Sequence, residues 1–232
     1  MTTLLSYLII VFGYLAILIF ILGMAYRIWS WKHLPTGFSW GTFPQPTKWV
    51  VTSVIWRALA WPNLFRADTS LWIGAMVFHI GILLLFVGHL GNFVDMLSFT
   101  NKLGLPDHVA YQIGVYAGTV TGIALLFFFL RRILATKAKQ ISSFADHFIL
   151  WFLLVVVLVG IYARLFDEVS SEVVRRFAIS VVTFKPALPP GNTWFLTHTL
   201  LAEIFIIYAV ASKPIHLVGQ WFTQYIIVSE KR

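Results

Sequence analysis

Seven histidines punctuate the chain, and four of them fall in or beside long apolar runs. An ionisable side chain is expensive there and is usually functional. His79 and His89 lie ten residues apart within one run. His198 and His216 lie eighteen apart, the first inside a later run and the second just past its end, after Lys213-Pro214. Neutral imidazole is a common metal ligand. The chain has no cysteine, which excludes disulfides, thiolate zinc sites, iron–sulfur ligation and haem attachment through C-x-x-C-H. Metal chemistry here must rest on histidine and a non-covalent cofactor.

A low-spin haem b takes one neutral imidazole on each side, so two haems need two histidines on each of two facing helices. The depths can be compared. His89 is about five residues from the outer end of its run and His198 about four from the outer end of its own, which agrees within about 2 Å at about 1.5 Å per residue. These two form the outer pair. His79 and His216 remain as the inner pair. Their fit is looser, because ten residues of helix span about 15 Å and eighteen about 27 Å. Helix tilt and the break at Pro214 must absorb the difference. Eighteen residues is five whole turns, so His198 and His216 share a face, whereas His79 and His89 stand about 80° apart. The competing readings are histidines hydrogen-bonded to neighbouring helices, a proton relay of histidines with Glu203, and a purely structural anchor.

These side chains must be carried by elements that cross a membrane. Of the 232 residues, 59% are hydrophobic and 11% charged, and the mean hydropathy is +0.84. A soluble domain carries about twice that charge. Five apolar runs reach the length of about 20 residues that spans a bilayer: 4–26, 71–94, 110–130, 144–163 and 194–212. The first lacks a basic leader and is long for a signal peptide, so it reads as a retained span. The expected fold is all-α, an integral membrane bundle of five transmembrane helices forming a single domain over residues 1–232.

The net charge of +8 comes from clusters between the runs, which points to the positive-inside pattern and not to nucleic acid. Arg27, Lys32, Lys48, Arg57, Arg66, Arg131, Arg132, Lys137, Lys139, Lys213, Lys231 and Arg232 lie on one side, and Lys102, Arg164, Arg175, Arg176 and Lys185 on the other. The richer side is cytoplasmic by that rule. The N-terminus is then outside, the C-terminus cytoplasmic, and the location the cytoplasmic membrane of a bacterial or archaeal cell.

The segment 27–70 carries six tryptophans and Pro35, Pro44, Pro46 and Pro62. It reads as a loop lying on the headgroups, or as a docking surface for a cytoplasmic partner. On the outer side, residues 166–184 place Val169, Val173, Val174, Phe177 and Val181 at helical spacing opposite Asp167, Glu168, Ser171, Glu172, Arg175 and Arg176, which predicts a short surface helix. Gly114, Gly118 and Gly122 form overlapping G-x-x-x-G patterns suited to close helix packing. Gly81 and Gly88, beside the histidines, are read as room for a flat macrocycle.

Phe78-His79-Ile80-Gly81-Ile82 followed by Phe86-Val87-Gly88-His89 resembles the second span of the NarI-type dihaem cytochrome b family, the membrane gamma subunit of respiratory nitrate reductase. The two histidine spacings recur, as do Ser180-Val181-Val182-Thr183-Phe184 and the basic pair Arg131-Arg132. The resemblance covers roughly residues 71–220. It extends to a relative, the DsrM-type membrane cytochrome of the sulfite-reductase-associated complex, which suits the long segment 27–70 slightly better. The resemblance implies five spans holding two b haems, with His79 paired to His216 and His89 to His198. It also implies electron exchange between quinol and a cytoplasmic iron–sulfur partner in a hetero-oligomeric complex. The expected protein is therefore an electron-transfer subunit of a quinone oxidoreductase complex. Quinone or menaquinone would bind outside, around Gly88, His89 and His108. The alternative is a haem-free transporter or channel subunit with a histidine/glutamate relay.

Overall fold

The computed structural model describes residues 2–32, 48–93, 107–167, 169–212, 216, 219–221, 223 and 224. Among them all regular structure is helical: α1 (Thr2–Lys32), α2 (Lys48–Ala60), α3 (Pro62–Ala67), α4 (Thr69–Leu90), α5 (Asp107–Leu134), α6 (Thr136–Gln140), α7 (Phe144–Phe166), α8 (Ser171–Val182) and α9 (Thr193–Ala211). Five stretches are long and apolar enough to cross a membrane: Leu4–Ser30, Thr69–Leu90, Tyr111–Leu134, Phe144–Phe166 and Thr193–Ala211. They coincide with the five expected runs to within a few residues. This is a multi-pass membrane protein.

The chain divides into two compact units. The first comprises residues 1–14 and 73–205, and the second residues 15–72 and 206–232. In the first unit, α5 and α7 form a hairpin packed through small residues. A Cβ on Gly118 would meet Ile161 Cγ1 at 2.8 Å, and one on Gly122 would touch Val157 and Leu154 at about 4 Å. Those two glycines let the helices approach, as G-x-x-x-G patterns do. Polar contacts pin both ends of the hairpin. At one end the Tyr111 hydroxyl donates to the Arg164 carbonyl at 3.0 Å, and the Arg164 guanidinium lies 4.9 Å above the Tyr111 ring. At the other, buried Asp146 closes a capping box with Ser143, and Arg132 approaches it at 3.9 Å while donating to Ser142 Oγ.

The Gly81 notch on α4 is filled by α5. A Cβ there would run into the Thr121 hydroxyl and approach the Ala117 carbonyl at 3.4 Å. Thr121 is wholly buried and donates to that same carbonyl at 2.7 Å, so it has little room to yield. Gly81→Ala is expected to destabilise the bundle by about 1–3 kcal/mol, the range for overpacking. Adding Thr121→Ala should recover most of the loss, read as thermal unfolding followed by circular dichroism in detergent.

The surface helix is present but shorter than expected. Ser170 caps it, its hydroxyl accepting from the Val173 amide, so Asp167 and Val169 lie before its first turn. Phe177 is buried with Ile9, Ile10 and Leu196, while Glu172 bonds Arg175 and Arg176 on the opposite face. Those guanidiniums hold the Glu172 carboxyl below the usual carboxylate range. The helix ends in a Schellman turn, with Phe184 donating to Val181 and Lys185 to Ser180. This puts Phe184 at φ 57°, where glycine is usual. Its ring stacks on Tyr14 at 5.7 Å, and the Tyr14 hydroxyl donates to the Val181 carbonyl at 3.0 Å.

In the second unit, part of the segment read as a loop is helical. Val50, Val54 and Ala58, four residues apart, form the buried stripe of α2. Trp72 donates its indole N–H to the Ala60 carbonyl at 2.8 Å and packs edge-on against Phe65 at 5.0 Å. Gln220 donates to the Ala58 carbonyl at 3.0 Å. Gly23 receives Val210, and Arg27 donates to the Ala211 carbonyl at 3.3 Å. The expected break at Lys213-Pro214 lies outside the described residues.

Candidate functional site

His89 and His198 are brought together. Their rings stand 6.1 Å apart, centre to centre, with 32° between the planes. Each Nδ1 is engaged by a main-chain carbonyl: His89 with Leu85 at 2.6 Å, one turn back on its own helix, and His198 with Val156 of α7 at 3.1 Å. A carbonyl only accepts, so each Nδ1 carries the proton and Nε2 is left with its lone pair. Among the described residues neither Nε2 has a hydrogen-bond partner. This is how proteins fix a ligating imidazole, with the far nitrogen donating to an outer group.

The spacing passes a simple test. Two imidazoles that share one metal, each nitrogen about 2 Å from it, have ring centres about 6 Å apart. The observed separation fits that arrangement. A bis-imidazole haem takes only two protein ligands, so it needs no cluster of three, and no group of three metal-ligating side chains is found among the described residues.

A third helix builds the seat, and sequence reasoning missed it. Gly160 is the one glycine of α7. A Cβ on it would lie 2.6 Å from His198 Cε1 and 2.9 Å from Nδ1. The absent side chain lets the imidazole reach the Val156 carbonyl one turn below. A lone glycine in an otherwise bulky apolar span was the available signal. Asp167, just past α7, is a second missed contributor. Its Oδ2 accepts from the Phe195 amide at 2.7 Å, satisfying a first-turn N–H of α9 three residues before His198.

The other expected residues are placed as follows. His79 is half-buried on α4, with Nδ1 on the Ala75 carbonyl at 2.7 Å. His216 lies in helical backbone of the second unit with its side chain exposed. Among the described residues no atom lies within 4 Å of where a Gly88 Cβ would sit, whereas Gly81 faces Thr121. His108 begins α5, and its side chain lies outside the described residues. Glu203 faces Gly13 of α1, a different neighbour from that of His198.

Residues 46–230 match the profile of the nitrate reductase gamma subunit family. Among curated proteins, the chain is 29% identical to an Hdr-like menaquinol oxidoreductase cytochrome b-like subunit of Archaeoglobus profundus, over 90% of this chain and 75% of that protein. It is 24% identical to the nitrate reductase gamma chain of Bacillus subtilis, over 68% of this chain and 78% of that one. The respiratory nitrate reductase 1 gamma chain of Escherichia coli is 31% identical over 56% of this chain and 60% of its own length. With most of its length matched by the profile, the chain belongs to the nitrate reductase gamma subunit family.

Proposed function

We propose that the chain is a dihaem b membrane subunit that carries electrons between the quinone pool and a cytoplasmic iron–sulfur subunit of a respiratory complex. The observation that carries this reading is the His89–His198 pair: two imidazoles 6.1 Å apart with both Nδ1 atoms committed to carbonyls. Family membership and relatives named as menaquinol oxidoreductase and nitrate reductase subunits support it.

His89 and His198 would hold an outer haem, and His79 and His216 an inner one. When bound, the haem supplies one-electron redox chemistry, and the protein supplies ligation, orientation and electrostatics. The Leu85 and Val156 carbonyls keep each outer imidazole in one tautomer and one orientation. Gly160 admits His198 to its carbonyl, Asp167 fixes the first turn of α9, and Gly88 adds no side chain beside His89. Quinone, menaquinone in the archaeal relative's name, would bind on the outer side around Gly88, His89 and His108. There His108 would exchange protons with the ring oxygens, a role for which imidazole chemistry is suited. The distribution of lysine and arginine supports an N-terminus outside and a cytoplasmic C-terminus. The segment 27–70 and the C-terminal tail would then face the iron–sulfur partner, and residues 1–232 would act as one transmembrane domain.

The relay alternative has less support. His198 faces Gly160 and Glu203 faces Gly13, so these two groups approach different helices. A pyridine haemochrome assay on the purified protein tests the reading. Two b haems per chain are expected, and no haem, or only c-type haem, would overturn it.

A further inference from the structure

Glu203 has no part in the histidine arrangement, yet it is the sole acidic or basic residue besides His198 in Thr193–Ala211. It lies five residues beyond His198, about 7.5 Å along the helix and about 140° around it. Gly13 makes room for it: a Cβ there would lie 3.0 Å from Glu203 Oε1. Oε2 is buried without a hydrogen-bond partner among the described residues. No charged side chain among them faces the carboxyl group. The adjoining titratable group of α1, Tyr14, is turned away, its hydroxyl committed to the Val181 carbonyl.

An unpaired carboxylate in apolar surroundings is costly, and an intramembrane acid is functional by default. Such a group needs either a proton or a positive charge within its low-dielectric surroundings. A ferric haem between two neutral imidazoles carries one net positive charge at its core, and a ferrous haem carries none.

We propose that Glu203 is an intramembrane proton-binding site whose occupancy follows the oxidation state of the haem assigned to His198, an inference that rests on the haem reading above. In the balanced step, one of the two electrons of quinol oxidation would take the iron from ferric to ferrous, and one hydronium ion would pass its proton to the carboxylate, forming one O–H bond and leaving water. Reoxidation by the partner removes the electron, and the proton leaves. The charge of the region is thereby the same in both states.

The test uses the intact complex in native membranes. On reduction, a carboxylic acid C=O band should appear in redox-difference infrared spectra, vanish in Glu203→Gln and persist, displaced, in Glu203→Asp. The outer-haem potential should fall as pH rises, approaching a tenfold change in the reduction equilibrium per pH unit, about 59 mV for one electron. Glu203→Gln should flatten that dependence. A lipid-soluble carbodiimide, which attacks protonated carboxyls, should label Glu203 faster in reduced than in oxidised membranes; this arm needs no variant and decides the matter if Glu203→Gln fails to assemble. Equal labelling in both states overturns the proposal, as does an unchanged pH dependence in Glu203→Gln with its haems intact. Wild-type protein that lacks haem b overturns the reading beneath it instead.

Discussion

Replacing His89 with alanine is expected to halve the haem content and abolish one of two steps in a redox titration. His198→Ala should remove that same step, because the two imidazoles stand 6.1 Å apart and each would be one half of a single ligand set. The double variant should be no worse than either single one, since residues acting as a unit are not additive. His79→Ala should remove the other step and leave this one. Spectra taken at poised potentials check all four variants. If His89→Ala and His79→Ala lose the same component, the pairing is wrong. Loss of both components in every variant would instead point to general collapse, which circular dichroism of the same preparations identifies.

Gly160→Ala is expected to have an effect nearly as large through a residue that binds nothing itself. Alanine is the better helix former by about 1 kcal/mol, so α7 alone would be strengthened. The new methyl group would lie 2.6 Å from His198 Cε1 and 2.9 Å from Nδ1, so the imidazole must move off the Val156 carbonyl. Losing the outer hydrogen bond of a ligating histidine typically weakens metal affinity about 10–100-fold. The variant should fold, retain the inner haem and lose the outer one on dilution or during purification. An intact outer-haem spectrum with unchanged haem release would show that Gly160 serves helix packing alone.

The five spans were legible because bilayer thickness sets a minimum length for an apolar run, and each run met it. The proximity of His89 and His198 was legible for a related reason: helical rise converts residue number into depth, and the two depths agreed. Lateral arrangement was not legible. Spans α4 and α9 are apolar all round, since lipid and protein neighbours are equally apolar, so no stripe in their sequences marks a buried face. Gly160 opposite His198, and Thr121 in the Gly81 notch, are facts about neighbouring helices that no single-helix pattern records. The spacing of Asp167 suits a surface helix, but its carboxylate is committed to the Phe195 amide and Ser170 caps that helix three residues later. The prolines of the tryptophan-rich segment predict a loop, whereas the four-residue spacing of Val50, Val54 and Ala58 gives one stretch of it a buried helical stripe.

His89 takes its anchoring carbonyl from its own helix, whereas His198 takes it from α7. This difference bears on the order of assembly. The half-site on α4 is complete as soon as that helix forms, because Leu85 and His89 are four residues apart. The half-site on α9 exists only after α7 and α9 have docked. A cofactor entering earlier would meet one prepared ligand and one imidazole free to rotate, and would be held weakly. Capture by both ligands would select the docked arrangement, so that binding energy would become packing energy between three helices. By linkage, a ligand at one hundred times its dissociation constant stabilises the state that binds it by about 2.7 kcal/mol. For this protein, cofactor supply during biogenesis would govern how much chain survives quality control, with haem acting as the last fastener of the bundle.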